Sequence, residues 1–265
     1  MLEALVRRTL HDRLRGTIGW ISGLVAIVAV QMSVYPTVRD STADWQQATE
    51  SFPEAFKEIF RMEDYTTPAG YLSTELMTFI IPLVFVGLGA GWGSRLTTED
   101  EENHTADVIL GLPISRVDYF VARLAAVLLV LVGATLIFWL SLTIGSTSLD
   151  MKIGLANLAS AASAVLLLGV LGASLAAMIG AISGRRAVAL GITLSLVIGL
   201  FIVYSLAPLV SIFDRSSWAN PWQWTLGSQP ITDGISLTGT VATTVLAGSM
   251  FALAARAFAR RDITN

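Results

Sequence analysis

Residues 155–212 read LANLASAASAVLLLGVLGASLAAMIGAISGRRAVALGITLSLVIGLFIVYSLAPLVSI. Two apolar runs, Leu155–Ser183 and Ala187–Ile212, are separated only by Gly184-Arg185-Arg186. A bilayer-spanning helix needs about 20 apolar residues, and each run supplies them without an acid or a lysine in its interior. A pair of charges between two such runs reads as a tight turn at a membrane surface. This hairpin decides the fold class, because a chain that contains it has to satisfy every backbone polar group internally, as helix.

Working outward, four further runs meet the same test: Thr17–Tyr35, Leu72–Trp92, Tyr119–Gly145 and Leu237–Ala255. The three central runs exceed what a perpendicular helix needs, so tilt is expected. The first run has an apolar core longer than the roughly 7–15 residues of a signal peptide, and no small-x-small site precedes Tyr35-Pro36; it reads as an uncleaved span. The 265 residues are 54% hydrophobic and 14% charged, with a mean hydropathy of +0.66. Soluble domains carry about 25% charged residues. The expectation is an all-α membrane protein, one transmembrane domain over residues 1–265, with six transmembrane helices.

Orientation follows from lysine and arginine placement. Arg7, Arg8, Arg13, Arg15, Arg95, Arg116, Arg123, Arg185, Arg186, Arg256, Arg260 and Arg261 fall on one set of connections, twelve of the seventeen cationic residues. That side is expected to be cytoplasmic, with both termini on it, in a multi-pass protein of the cell (plasma or inner) membrane. The net charge of −3 is small and says little about partners; no nucleic-acid partner is expected, and the lack of cysteine excludes disulfide and thiolate chemistry.

Outside the spans, residues 1–16 place Leu2, Leu5, Val6, Leu10 and Leu14 on one face, which predicts a helix lying in the interface. In the outer loop 36–71, Ser51 and Glu54 have capping-box spacing, and Phe52, Phe56, Ile59 and Phe60 share one face, predicting an amphipathic helix. The outer loop 213–236 carries Trp218, Trp222 and Trp224, which read as interface anchors. Gly87, Gly89, Gly91 and Gly93 in the second run, and Gly172, Ala176, Gly180 and Gly184 in the fourth, predict close helix packing.

No catalytic set is present: there is no HExxH, GxSxG or GxxxxGK[ST], and the two histidines, His11 and His104, lie far apart outside the spans. Neither a catalytic site nor a metal site is expected. Glu75 is the one acid inside a span, and an intramembrane acid is a functional candidate. Gln31, Glu75, Thr78, Ser141 and Tyr204 are the polar positions that could line a substrate path. Without deeper ionisable relays, ion-coupled secondary transport has little to work with.

Residues 96–116, LTTEDEENHTADVILGLPISR, lie between the second and third runs. Thr98 with Glu101 has the spacing of a capping box, four acids follow from Glu99 to Glu102, and Gly111 with Pro113 ends the helix. Glu102, Ala106, Ile109 and Leu110 form a stripe. Four adjacent acids exceed what capping requires, so a basic surface outside the chain is the expected recipient.

Phe52-Pro53-Glu54-Ala55, Thr67-Pro68-Ala69-Gly70-Tyr71, the run TEDEENHTADVILGLPISR and the terminal FARRDIT resemble the membrane permease subunits of type-2 ABC exporters, including antibiotic and multidrug efflux permeases. The family pattern is roughly acid-acid-x-Gly-Thr, a leucine-rich stretch, then Pro-x-Ser-Arg. Glu101, Glu102, Thr105, Leu110, Pro113, Ser115 and Arg116 match it; His104 stands where the glycine is usual, and Val108 and Ile109 make the stretch more β-branched.

The resemblance implies that residues 96–116 are a cytoplasmic coupling helix seated on a separate ABC ATPase, with Glu99, Asp100, Glu101, Glu102, Thr105, Ala106, Ile109, Leu110, Pro113 and Arg116 at the contact. ATP and magnesium would then belong to that partner, and this chain would need no cofactor. A second copy or a paralogue would complete the path, with membrane lipid around it, and the substrate would be a lipophilic drug, an antibiotic or a lipid-like molecule. The alternative is a membrane scaffold or sensor that binds a cytoplasmic partner without transport.

Overall fold

A computed structural model describes residues 2–62, 64–102 and 115–261; for Asp100 and Glu101 it describes the backbone alone. Among these residues every regular element is helical: α1 Leu2–Asp12, α2 Leu14–Asp40, α3 Thr42–Ser51, α4 Glu54–Phe60, α5 Pro68–Leu72, a π-helical turn Ser73–Met77, α6 Ile80–Gly93, α7 Arg95–Glu102, α8 Arg116–Ser148, α9 Leu155–Ser183, α10 Arg186–Leu206, α11 Ser211–Ser216, α12 Pro221–Leu226 and α13 Leu237–Arg260. Six helices are long and apolar enough to cross a membrane. Spans one, three, four, five and six are α2, α8, α9, α10 and α13; span two runs from α5 through the π turn and α6 into α7.

The spans form a layered bundle around α9, which packs against spans two, three, five and six. Two-thirds of the apolar stretch of spans two and four is buried within the chain (67% each), against 17%, 22% and 28% for spans one, five and six. The peripheral helices therefore present their apolar faces outward, as lipid-facing helices must.

Small residues set the central contact. A Cβ on Gly89 would lie 1.9 Å from the carbonyl oxygen of Gly169, and one on Gly93 would lie 2.1 Å from that of Ala173. Spans two and four thus touch backbone to backbone, the arrangement that helix association in lipid rewards. Gly91 faces open space, and Gly87 meets only the Trp20 ring. Of the expected glycine ladder, one row makes the seam. Gly184 takes φ +66 as it ends α9, a left-handed cap that glycine adopts without penalty.

Several boundaries differ from expectation. Span one continues past Pro36 to Asp40, at the loss of the one helical N–H that would have reached the Met32 carbonyl; one residue earlier, the Gln31 carbonyl accepts from the Tyr71 hydroxyl at 2.9 Å. The Ser51–Glu54 capping box does not form. Ser51 closes α3 and donates back to the Ala48 carbonyl, while Pro53 in an extended conformation starts α4. The aromatic face is present: the Phe52, Phe56 and Phe60 rings lie 5.1 and 4.5 Å apart in sequence, half exposed. Span five stops at Leu206, just before Ala207-Pro208, rather than at Ile212. Trp222 is a core residue, 1% exposed, with its indole N–H donating to the Val197 carbonyl, whereas Trp218 is open to its surroundings.

Candidate functional site

Arginines gather where the ends of spans one, two and three meet. Arg13 breaks the path between α1 and α2, its φ of −114° interrupting the helix. The break lets its guanidinium turn inward, 4.7 Å from the Trp92 ring centre, and donate to the Glu99 carboxylate. Arg123, two turns into span three, donates to the same Glu99 oxygen and, at 3.3 Å, to the Arg95 carbonyl. The Arg95 guanidinium lies 3.8 Å from the other Glu99 oxygen. One carboxylate is therefore held among three guanidiniums from three segments.

Burial lowers the pKa of Arg13, and Glu99 acts in the opposite direction. A guanidinium almost wholly removed from water needs such a partner, because an unpaired buried charge costs several kcal/mol, on the order of 3–5 when one partner is deleted. Nearby, a Glu102 oxygen accepts from the Arg186 backbone N–H at 3.1 Å, capping the first turn of span five. Arg116 donates to the Arg261 carbonyl at 2.6 Å and, more weakly, to that of Phe258. These contacts tie span two to span five and span three to the end of span six.

A second cluster lies at the opposite end. Glu75 sits in the π-helical turn of span two, accepting from the Tyr65 hydroxyl at 2.8 Å and the Gln31 amide at 3.1 Å. The Tyr71 hydroxyl also reaches the Gln31 side-chain oxygen, at 3.3 Å. Tyr65 packs at a tilt against Tyr71 and Trp45. Burial first, then the hydrogen bond to Glu75, holds the Tyr65 phenol well above the usual tyrosine range. A π turn inside a helix frequently marks a functional position, and here it turns the Glu75 carboxylate toward span one. Beside it, a cavity of about 340 Å³ is lined by Thr78 and Tyr204.

The profile of the family described as "ABC-2 family transporter protein" matches residues 4–263. The chain belongs to this family. No protein of curated function matches it. An ABC-2 chain with six such helices is a multi-pass membrane protein and the permease subunit of an ABC transporter, a family that partners with an ABC ATPase.

In this ABC-2 permease the sequence-predicted contact residues divide. Glu99 and Arg116 are engaged within the chain, and Glu102 caps span five while remaining exposed. Thr105, Ala106, Ile109, Leu110 and Pro113, together with His104, lie outside the described residues. Thr98 is not the N-cap that its spacing to Glu101 suggested. The helix begins at Arg95, Thr98 is fully buried, and its hydroxyl donates to the Ser94 carbonyl. The reason is continuity: Ser94 keeps helical geometry after α6, so no new helix N-terminus arises at Thr98.

Of the path candidates, Gln31 and Glu75 meet directly, and Thr78 and Tyr204 share the cavity. Ser141 joins neither group; its hydroxyl returns to the Ile137 carbonyl within span three. Sequence reasoning passed over Arg13, Arg123, Trp92, Tyr65 and Arg61. Arg123 carried a signal, since an arginine one turn inside an apolar run needs an acid close by.

Proposed function

We propose that this permease subunit forms the translocation path of an ATP-driven exporter, as a dimer or with a paralogue, and is driven by an ABC ATPase on the cytoplasmic side. In this reading the arginine-rich end and both termini are cytoplasmic, and residues 96–116 are the coupling helix. The observation that carries the reading is the Glu99 cluster. A helix pushed by ATPase closure at residues 96–116 is joined, through one carboxylate, to the α1–α2 junction by Arg13 and to span three by Arg123. Motion at the contact is then passed to three segments together instead of being absorbed by a loose loop. α1, with Leu5 and Leu10 packed toward span three, serves as the interfacial helix of this unit.

The apolar outward faces and the scarcity of intramembrane charge favour a lipophilic drug, an antibiotic or a lipid-like molecule as substrate, moved outward. ATP and magnesium are bound by the partner, not by this chain.

The test is co-expression with a P-loop ATPase encoded beside the gene, followed by co-purification and measurement of substrate-stimulated hydrolysis. Glu102→Arg combined with Leu110→Asp is expected to weaken association and uncouple hydrolysis from transport. Unchanged association and coupling in that variant sinks the coupling-helix assignment, and a chain that recruits no ATPase at all returns the scaffold reading.

A further inference from the structure

The cavity beside the π turn carries more chemistry than Thr78 and Tyr204. Arg61, Glu58 and Asp64 also line it. Residues with side chains of both signs thus border one space, yet among the described residues neither Glu58 nor Asp64 forms an ion pair with Arg61 or with any other cation. Among the described residues the Arg61 guanidinium makes one long hydrogen bond, 3.4 Å to the Leu226 carbonyl, and lies 4.7 Å from the centre of the Tyr204 ring. Most of its five donors are uncommitted.

Its backbone is specially held. Arg61 ends α4 at φ 54°, a left-handed conformation that a residue with a side chain adopts only against strain. The Thr74 hydroxyl fastens the Arg61 carbonyl at 3.1 Å. The side chain is thereby set over Tyr204, whose own hydroxyl has no hydrogen-bond partner among the described residues. Met77 and Pro208 give the floor an apolar character. The volume, about 340 Å³, falls at the small end of the range for ligand sites, about 300–1,000 Å³.

We propose that this cavity binds a zwitterion of the phosphate–ammonium kind, as carried by the headgroup of an ethanolamine phospholipid or by free phosphoethanolamine. Arg61 and the Tyr204 hydroxyl donate to the phosphate oxygens, since a guanidinium fork suits them. Glu58 and Asp64 accept from the ammonium group. A purely anionic headgroup satisfies the first pair and leaves two carboxylates facing a negative charge. Binding of this kind needs neither ATP nor a partner, so it stands whether or not the export reading holds.

The test uses the full-length chain in dodecyl maltoside, titrated with dioleoyl phosphatidylethanolamine or dioleoyl phosphatidylglycerol and read by native mass spectrometry. The ethanolamine lipid is expected to bind at least about tenfold more tightly, the worth of one charge-assisted hydrogen bond. Arg61→Gln is expected to weaken it about tenfold and Arg61→Lys to restore part of the loss. Glu58→Gln with Asp64→Asn is expected to abolish the preference between the two lipids. Displacement of the lipid by millimolar phosphoethanolamine identifies the headgroup as sufficient; lipid binding that resists it identifies the phospholipid as the ligand.

Equal or tighter binding of the glycerol lipid by the wild type overturns the proposal, as does unchanged ethanolamine-lipid binding in a folded Arg61→Gln chain. Should Arg61→Gln fail to fold, the Glu58→Gln, Asp64→Asn variant decides, and an unchanged lipid preference there overturns the site.

Discussion

Arg13 and Glu99 stand 86 residues apart in the chain and meet through a direct hydrogen-bonded ion pair, the Arg13 side chain only 8% exposed and that of Glu99 23%. The pair joins the α1–α2 junction to the continuation of span two. Arg123 shares the same carboxylate oxygen, so the contact is a hub and not a bridge between two partners.

Glu99→Gln leaves three guanidiniums around a neutral amide. The loss is expected to be about 2 kcal/mol, less than for a fully buried pair because Glu99 keeps some contact with solvent. It should appear as a lower midpoint in thermal unfolding in detergent. Arg13→Met with Glu99→Gln should cost less than the sum of the two single changes, since the second removes a charge already unpaired. Additive losses in that cycle contradict the hub.

Gly89→Ala puts a methyl group where the Gly169 carbonyl oxygen already is, 1.9 Å away. Spans two and four have to move apart, at an expected cost of about 1–3 kcal/mol. Gly91→Ala, two residues along, meets nothing within 4 Å and should be neutral. Size-exclusion yield and unfolding midpoint of the two variants measure the contrast, and equal behaviour would show that the seam does not hold the bundle.

Tyr65→Phe removes the donor at 2.8 Å from Glu75 and is expected to cost about 1 kcal/mol. The sign of its pH dependence follows from the raised phenol pKa. Stability contributed by Tyr65 is fully present below the ordinary tyrosine value of about 10 and is lost as pH rises from there toward the folded value. The absorbance step at 295 nm near pH 10 should therefore be the same size in the folded wild type and in Tyr65→Phe. A smaller step in the variant would mean that Tyr65 ionises like an exposed tyrosine.

The interior of the bundle was readable where one physical rule acts alone. Leu155–Ser183 appears in the structure with the limits read from hydropathy, because lipid tolerates an apolar helix and little else. The limits were misread where two rules compete. Pro36 and the Ser51–Glu54 spacing each look like punctuation, yet a helix already under way absorbs a proline, and a serine in its last turn bonds backward. Thr98 fails as a cap for the same reason, since Ser94 carries the helix through.

By itself the sequence determined the membrane class, the six apolar helices, the acid near one end of the second of them and the resemblance that the family match upholds. These depend on local composition and spacing, which a linear string preserves. Only the tertiary structure decided that Glu99 turns inward to Arg13 and Arg123, that Gly89 rather than Gly91 touches span four, and that Arg61, Glu58 and Asp64 share a cavity with Tyr204. The physical reason is common to all three. Which charges pair and which backbones touch depends on distances between segments far apart in the chain, and those distances exist only once the helices have packed.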